Sequence, residues 1–249
     1  MITKKTAIFA AAIGVAGLAA CGGDAAADGQ TEVDLPAGLD REDLEIVIRE
    51  YILANPEIIP EAMERLQQNQ QAELVSAVRD DIETPFEGAW AGSANPDVTI
   101  VEFFDYACGY CRTSLPDIER LLREDEGVRV VFRELPILSE ESEVAARVSL
   151  SAARQGEFFD FHRAMYAAGR PGDASIAEAQ AAAGLDDGQV RSDLMSDTIS
   201  QEIQNNLALA NSLRLSGTPA FIVGDQILAG AVGYERLKEA IEQVRANGS

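Results

Sequence analysis

The sequence predicts an α/β domain at residues 95–249, preceded by a short helical segment at 39–84. Three observations predict it. Val98–Phe104 and Val128–Phe132 are apolar runs rich in β-branched residues, as buried strands are, with a helical stretch between them. A long Ala-rich block of helical periodicity, about 139–215, is inserted after the second run. Phe221-Ile222-Val223 and Ile227-Leu228-Ala229 then flank Gly224-Asp225-Gln226 and read as a hairpin with a tight turn.

Apolar residues make up 47% of the 249, enough for a sizeable core and too many for wholesale disorder. Acids outnumber bases 42 to 20, for a net charge of −22. That balance argues against a nucleic-acid binder, and against electrostatic docking on an anionic membrane. Three cysteines and one histidine are too few for a disulfide scaffold, a four-cysteine zinc site or a His-rich cluster. No metal and no cofactor is expected.

Residues 1–20 read as an export signal. Lys4 and Lys5 are followed by an uncharged, mostly apolar run to Ala20, shorter than the ~20 residues of a spanning helix. Leu18-Ala19-Ala20-Cys21-Gly22 resembles the bacterial lipoprotein box, which implies cleavage before Cys21 and lipidation there. Losing residues 1–20, with their two lysines, leaves 229 residues and a net charge of −24. Simple secretion, with cleavage after Ala25-Ala26-Ala27, is the other reading. Residues 21–38, rich in Ala, Gly and Asp, form a tether.

Asp40 reads as an N-cap with a helix over 41–54 behind it, where Leu44, Val47, Ile48, Tyr51 and Ile52 share a face. Asn55-Pro56 reads as the cap and first position of a second helix, or Pro60 as its start. Met63, Leu66, Leu74, Val78 and Ile82 then form a loose stripe. So narrow a seam buries little by itself. It either packs back on the main domain or pairs with copies of itself, and self-association is the favoured reading. Residues 85–96 read as a linker or loop. Beyond the first strand, helices are expected over 111–122, 139–155, 158–168, within 175–215 and over 234–246, with breaks at 169–172 and Gly184. No internal repeat is present.

Cys108-Gly109-Tyr110-Cys111, at a strand-to-helix junction, is the main chemical signal. This spacing puts both sulfurs on the first helical turn, close enough to bridge. Free N–H groups and the positive end of the helix dipole then face the first sulfur. In such motifs the thiol pKa falls from about 8.5 to roughly 3.5–7.5. A fall of about 4 units favours thiolate by roughly 5–6 kcal/mol, stabilises the dithiol and makes the disulfide an oxidant. A mere staple is disfavoured, because so small a ring contributes only about 2 kcal/mol. Two thiolates alone are half a zinc set. Pro219, in Ser216-Gly217-Thr218-Pro219-Ala220-Phe221, stands at a strand start, where a cis turn suits it.

Together Val101-Glu102-Phe103-Phe104-Asp105-Tyr106-Ala107-Cys108-Gly109-Tyr110-Cys111 and Gly217-Thr218-Pro219-Ala220-Phe221 resemble the thioredoxin superfamily, and within it the DsbA-like thiol–disulfide oxidoreductases. The resemblance covers roughly 95–247 and implies a thioredoxin fold with an inserted helical domain. The region before it looks like the N-terminal extension of ScsC-type members, which can drive oligomerisation. The resemblance makes Cys108 the attacking sulfur, Cys111 the resolving one and Pro219 the cis-proline. Thr218, Pro219, Gly109 and Tyr110 would contact substrate. Glu102 matches a buried acid that relays protons to the resolving cysteine, unless it sits on an edge facing solvent. Asp105, the rival acid, is placed in the turn. Gly109-Tyr110 lacks the Pro-His pair of the strongest oxidants. His162 and its Phe neighbours read as core.

The expected function is disulfide formation or isomerisation in exported proteins by a lipid-anchored protein of the bacterial envelope, facing the periplasm. Cysteine-bearing exported proteins and a membrane redox partner are the expected partners; nucleic acid is not. The alternative from another class is a copper(I)-binding lipoprotein using Cys108 and Cys111 as soft ligands.

Overall fold

The structure is a computed structural model and describes residues 40–248. They fall into two units, 40–55 and 56–248. The signal, the tether and Cys21 lie outside the described residues.

The first unit is helix α1 (Arg41–Ala54). Asp40 caps it, its carboxyl accepting the Asp43 N–H at 2.9 Å. None of its residues is buried, and Val47, Ile48 and Tyr51 stand exposed with Ile46 and Leu53.

Asn55 does not open the second helix. It closes α1, donating its side-chain amide to the Tyr51 carbonyl at 2.8 Å while its backbone N–H reaches the same oxygen. Helix α2 (Ile58–Ser76) begins two residues beyond Pro56. Pro60 falls in its first turn, where no intrahelical N–H bond is lost. Short helix α3 (Arg79–Glu83) follows. The apolar stripe divides along its length. Met63 and Leu66 are exposed, Leu74 and Val78 half-buried and Ile82 fully buried, as is Val75 beside the stripe.

The 85–96 segment is more than a linker, because it contains strand β1 (Trp90–Gly92). Strand β2 (Val98–Phe104), helix α4 (Gly109–Glu124) and strand β3 (Val128–Glu134) form the strand–helix–strand unit. Helices α5 (Glu140–Gln155), α6 (Phe158–Ala168), α7 (Asp173–Ala182), α8 (Asp187–Asp193) and α9 (Asp197–Ser212) make up the helical block. Hairpin strands β4 (Ala220–Val223) and β5 (Gln226–Ala229) and helix α10 (Tyr234–Asn247) complete the chain.

The sheet order is β1-β3-β2-β4-β5. β2 and β3 run parallel, and the other pairs are antiparallel. β2 is central, with β3 and β4 covering its sides and helices covering both faces. That is why its burial is nearly continuous instead of alternating. On one face Ile100, Phe104, Phe132 and Phe221 pack with α4, α5, α6 and α10. On the other, Val101, Phe103, Val131 and Ile222 pack with Val75 of α2, Ile82 of α3 and Ala210 of α9.

Candidate active site

Three chain segments meet at one end of the sheet: the turn leaving β2, the loop leaving β3 and the loop entering β4. The first carries Cys108, which is the N-cap of α4 in extended conformation (φ −78°, ψ 114°). Its sulfur takes the place of a capping oxygen and accepts the Cys111 N–H at 3.4 Å. Every other described helix carries Asp or Glu in its first turn; α4 carries none. In so acidic a chain, this one helix keeps its positive end for the sulfur.

The third segment supplies the opposite wall. The Thr218–Pro219 bond is cis. The Cys108 thiol donates to the Thr218 carbonyl at 3.2 Å. Both cysteines are buried and unbridged here. Gly109 and Tyr110 between them are exposed, Tyr110 by 71%.

The second segment is tied to the first by Asp105. One of its carboxyl oxygens accepts the Ala107 N–H at 2.7 Å; the other accepts Ile137 and Leu138 N–H at 2.8 and 2.9 Å. Asp105 is therefore a buried turn-former, as its place before the cysteines suggests. Its carbonyl also receives the Cys108 N–H at 3.0 Å and the Tyr166 hydroxyl at 3.3 Å.

Below the cysteines lies a buried acid. Glu102 is on central β2, opposite Phe132 and Phe221, and is 1% exposed, so the edge reading does not hold. One of its oxygens, Oε2, has no hydrogen-bond partner. Burial first, and the Cys108 sulfur second, push its pKa up to about 8. Burial likewise pushes the Cys111 thiol well up, and the Glu102 carboxylate adds to that shift. A thiol that resists ionising and an acid titrating near neutrality are placed for proton exchange.

Glu134 is the residue that sequence reasoning missed. It ends β3 on the same face, is 1% exposed, and neither carboxyl oxygen has a hydrogen-bond partner. Burial raises its pKa well above the carboxylate range; the nearby Ser149 hydroxyl opposes this, and Asp105 and Glu102 reinforce it. In the sequence it stands only as an acid two residues beyond Phe132, on the same side of that strand. Tyr106 completes the cluster, its hydroxyl bonding Ser149 Oγ at 2.8 Å and His162 Nδ1 at 3.1 Å. His162 is core, as expected, and burial lowers its pKa to about 3. Among the described residues no group of three or more His, Cys, Asp or Glu is gathered to hold a metal.

Residues 99–242 match the family of DSBA-like thioredoxin domains. The chain belongs to that family. Residues 40–73 match the N-terminal domain of copper resistance protein ScsC. Three solved structures show the DSBA-like architecture with similar sequence. A thioredoxin-like oxidoreductase from Silicibacter pomeroyi is 36% identical, with a TM-score of 0.63, covering 68% of this chain and 98% of its own. The thiol–disulfide exchange protein alpha-DsbA2 from Wolbachia pipientis is 29% identical, with a TM-score of 0.67, covering 72% and 98%. ScsC from Proteus mirabilis, in a transitional conformation, is 27% identical, with a TM-score of 0.64, covering 85% and 99%. The 30% identical Na(+)/H(+) antiporter NhaA 3 of Salinispora tropica matches over 60% of this chain, but the chain spans only 24% of that curated relative. No described helix is long and apolar enough to cross a membrane.

Proposed function

We propose that the chain exchanges disulfides with exported proteins, Cys108 attacking or being attacked and Cys111 resolving. One observation carries the reading: the Cys108 sulfur caps an acid-free helix start and faces the carbonyl before a cis-proline. In the oxidising direction a substrate thiolate attacks Cys108 of the Cys108–Cys111 disulfide. A substrate–Cys108 bond forms, and Cys111 leaves as thiolate and takes the Glu102 proton. A second substrate thiolate then attacks the substrate sulfur and expels Cys108 as thiolate. The substrate is oxidised by two electrons and the enzyme reduced. For isomerisation, reduced Cys108 attacks a wrong disulfide, and Cys111, deprotonated by Glu102, releases a stalled intermediate.

Export and lipid attachment at Cys21 would place this chemistry in the bacterial envelope, facing the periplasm. A membrane redox partner would reset the cysteines. The exposed apolar side chains of α1 support self-association, which a shared isomerase cleft would use. The test combines a glutathione-buffer titration of Cys108/Cys111 with refolding of a scrambled multi-disulfide protein. Cys111→Ala should trap a Cys108–substrate disulfide visible by mass. Absence of both trap and redox titration would refute the reading.

The name of the N-terminal family match favours one second reading, a Cu(I) site on the same two sulfurs. Tight Cu(I) binding without dithiol oxidation would reverse the order of the two.

A further inference from the structure

Three of the described helices end in the same turn. After α5, Gly156 takes a left-handed φ of +80°, with Gly156 N–H on Ala153 O and Glu157 N–H on Ala152 O. After α7, Gly184 does so at +70°, with Gly184 N–H on Ala181 O and Leu185 N–H on Gln180 O. After α9 the bonds repeat, Arg214 N–H on Asn211 O at 3.0 Å and Leu215 N–H on Ala210 O at 2.9 Å. There the left-handed residue is Arg214, at φ +55°, the one non-glycine with positive φ among the described residues. Glycine takes this conformation without the Cβ clash that an arginine suffers. The fold therefore keeps a side chain where its own precedent uses none, and that side chain calls for a use.

Its surroundings suggest the use. Arg214 is exposed and, among the described residues, its side chain makes no hydrogen bond or ion pair. It lines a cavity of about 550 Å³ formed by the 213–220 segment, Gln71 and the end of β5. Among the lining residues it is the single charged one, in a chain where acids outnumber bases 42 to 20. The same cavity is lined four residues later by Thr218, whose carbonyl touches the Cys108 thiol. A substrate segment reaching Cys108 along Ser216–Pro219 would bring its flanking residues toward an unpaired guanidinium.

We propose that Arg214 determines substrate specificity by receiving a carboxylate on the polypeptide flanking the cysteine that pairs with Cys108. The proposal rests on the oxidoreductase reading. Arginine suits the role because its planar fork meets a carboxylate with two parallel N–H bonds.

The test uses the oxidised full chain and short peptides bearing a cysteine pair, with Glu or its isostere Gln at successive positions beside the attacking cysteine. Salt is held at about 0.15 M, where screening beyond roughly 8 Å suppresses the chain's overall negative field. The native protein should oxidise the best Glu peptide about three- to tenfold faster than its Gln partner. R214Q keeps the strained backbone and loses the charge, so the ratio should fall to one with the melting temperature unchanged. R214G should also fall to one, with the melting temperature rising by about 2–4 °C. Both variants should oxidise dithiothreitol at the native rate. Binding of serine-for-cysteine versions of the same peptides reads Arg214 without the chemistry. A Glu preference in binding that R214Q abolishes supports the proposal even if no peptide is oxidised, in which case the oxidoreductase reading alone fails. Equal binding of Glu and Gln peptides, or a preference surviving in R214Q, overturns it.

Discussion

The two faces of the central sheet bury charge in opposite ways. On the α2/α3/α9 face stands Arg133, 3% exposed. Its guanidinium donates to Glu202 at 2.8 Å, to Asn206 at 3.2 Å, and to the Asp81, Ile82 and Thr84 carbonyls at the end of α3. On the α4 face stand Glu102 and Glu134, equally buried, with three of their four carboxyl oxygens unpartnered. Adjacent residues Arg133 and Glu134 go to opposite faces because side chains alternate along a strand. A buried charge with every donor satisfied holds structure together. A buried acid left unsatisfied destabilises the fold at any pH where it would ionise, and such groups gather at functional sites.

The largest expected effect lies at the top of the α4 face. Cys108→Ala should abolish disulfide exchange with both small dithiols and proteins while leaving the melting curve near native. Cys108 is small, and its cavity would be slight. Full activity in this variant would sink the mechanism.

Next comes the other face. Arg133→Ala should cost about 3–5 kcal/mol of stability, because it strands Glu202 and three carbonyls. Exchange per folded molecule should stay within about twofold. A large loss of activity at full folding would show that the two faces are not separable in this way.

Glu102→Gln should behave in the reverse sense. Native Glu102 titrates near 8, above the unfolded value of 4.5. Its contribution to stability is fully present below pH 4.5, and is lost as pH rises through about 8. Removing the carboxyl should therefore leave stability at pH 4 unchanged and raise it by roughly 3–5 kcal/mol above pH 8. Denaturant unfolding across that range measures it. The same variant should slow release of the Cys111-resolved mixed disulfide by about tenfold or more. Stability gained without loss of rate would make Glu102 a buried defect and nothing else.

Much of this was legible in the chain. β2, β3, α1 and α6 are written in mostly apolar, β-branched runs or clear helical periodicity, and Asp40 marks the start of α1 by its cap. β1 was not, because three residues show no period and its pairing depends on β3, forty positions away. The start of α2 was misplaced because Pro is tolerated throughout a first turn, so Pro56 and Pro60 both looked like starts. At the site, the cysteines and Pro219 announce themselves, and Glu102 came through resemblance. Glu134 did not, because Arg133-Glu134 reads as an ordinary polar strand end. Its 1% exposure comes from packing across the fold, which the local sequence does not show. The left-handed turn at Arg214 was equally hidden, since glycine would be the expected residue there.

The smallest expected effect separates the two acids. Cys111 is raised by Glu102 after burial, and Glu134 is not among the groups that act on it. Glu134 is held protonated by burial, with Asp105 and Glu102 reinforcing that. A carboxyl that stays neutral throughout the working range is mimicked by an amide. Glu134→Gln should therefore change the exchange rate less than about twofold and leave its pH profile in place, whereas Glu102→Gln removes the profile's limb near pH 8. Stopped-flow measurement of mixed-disulfide resolution from pH 6 to 9 distinguishes them. A displaced limb in Glu134→Gln would mean that the two carboxyls titrate as one coupled pair, and that the base of the α4 face is the pair instead of Glu102.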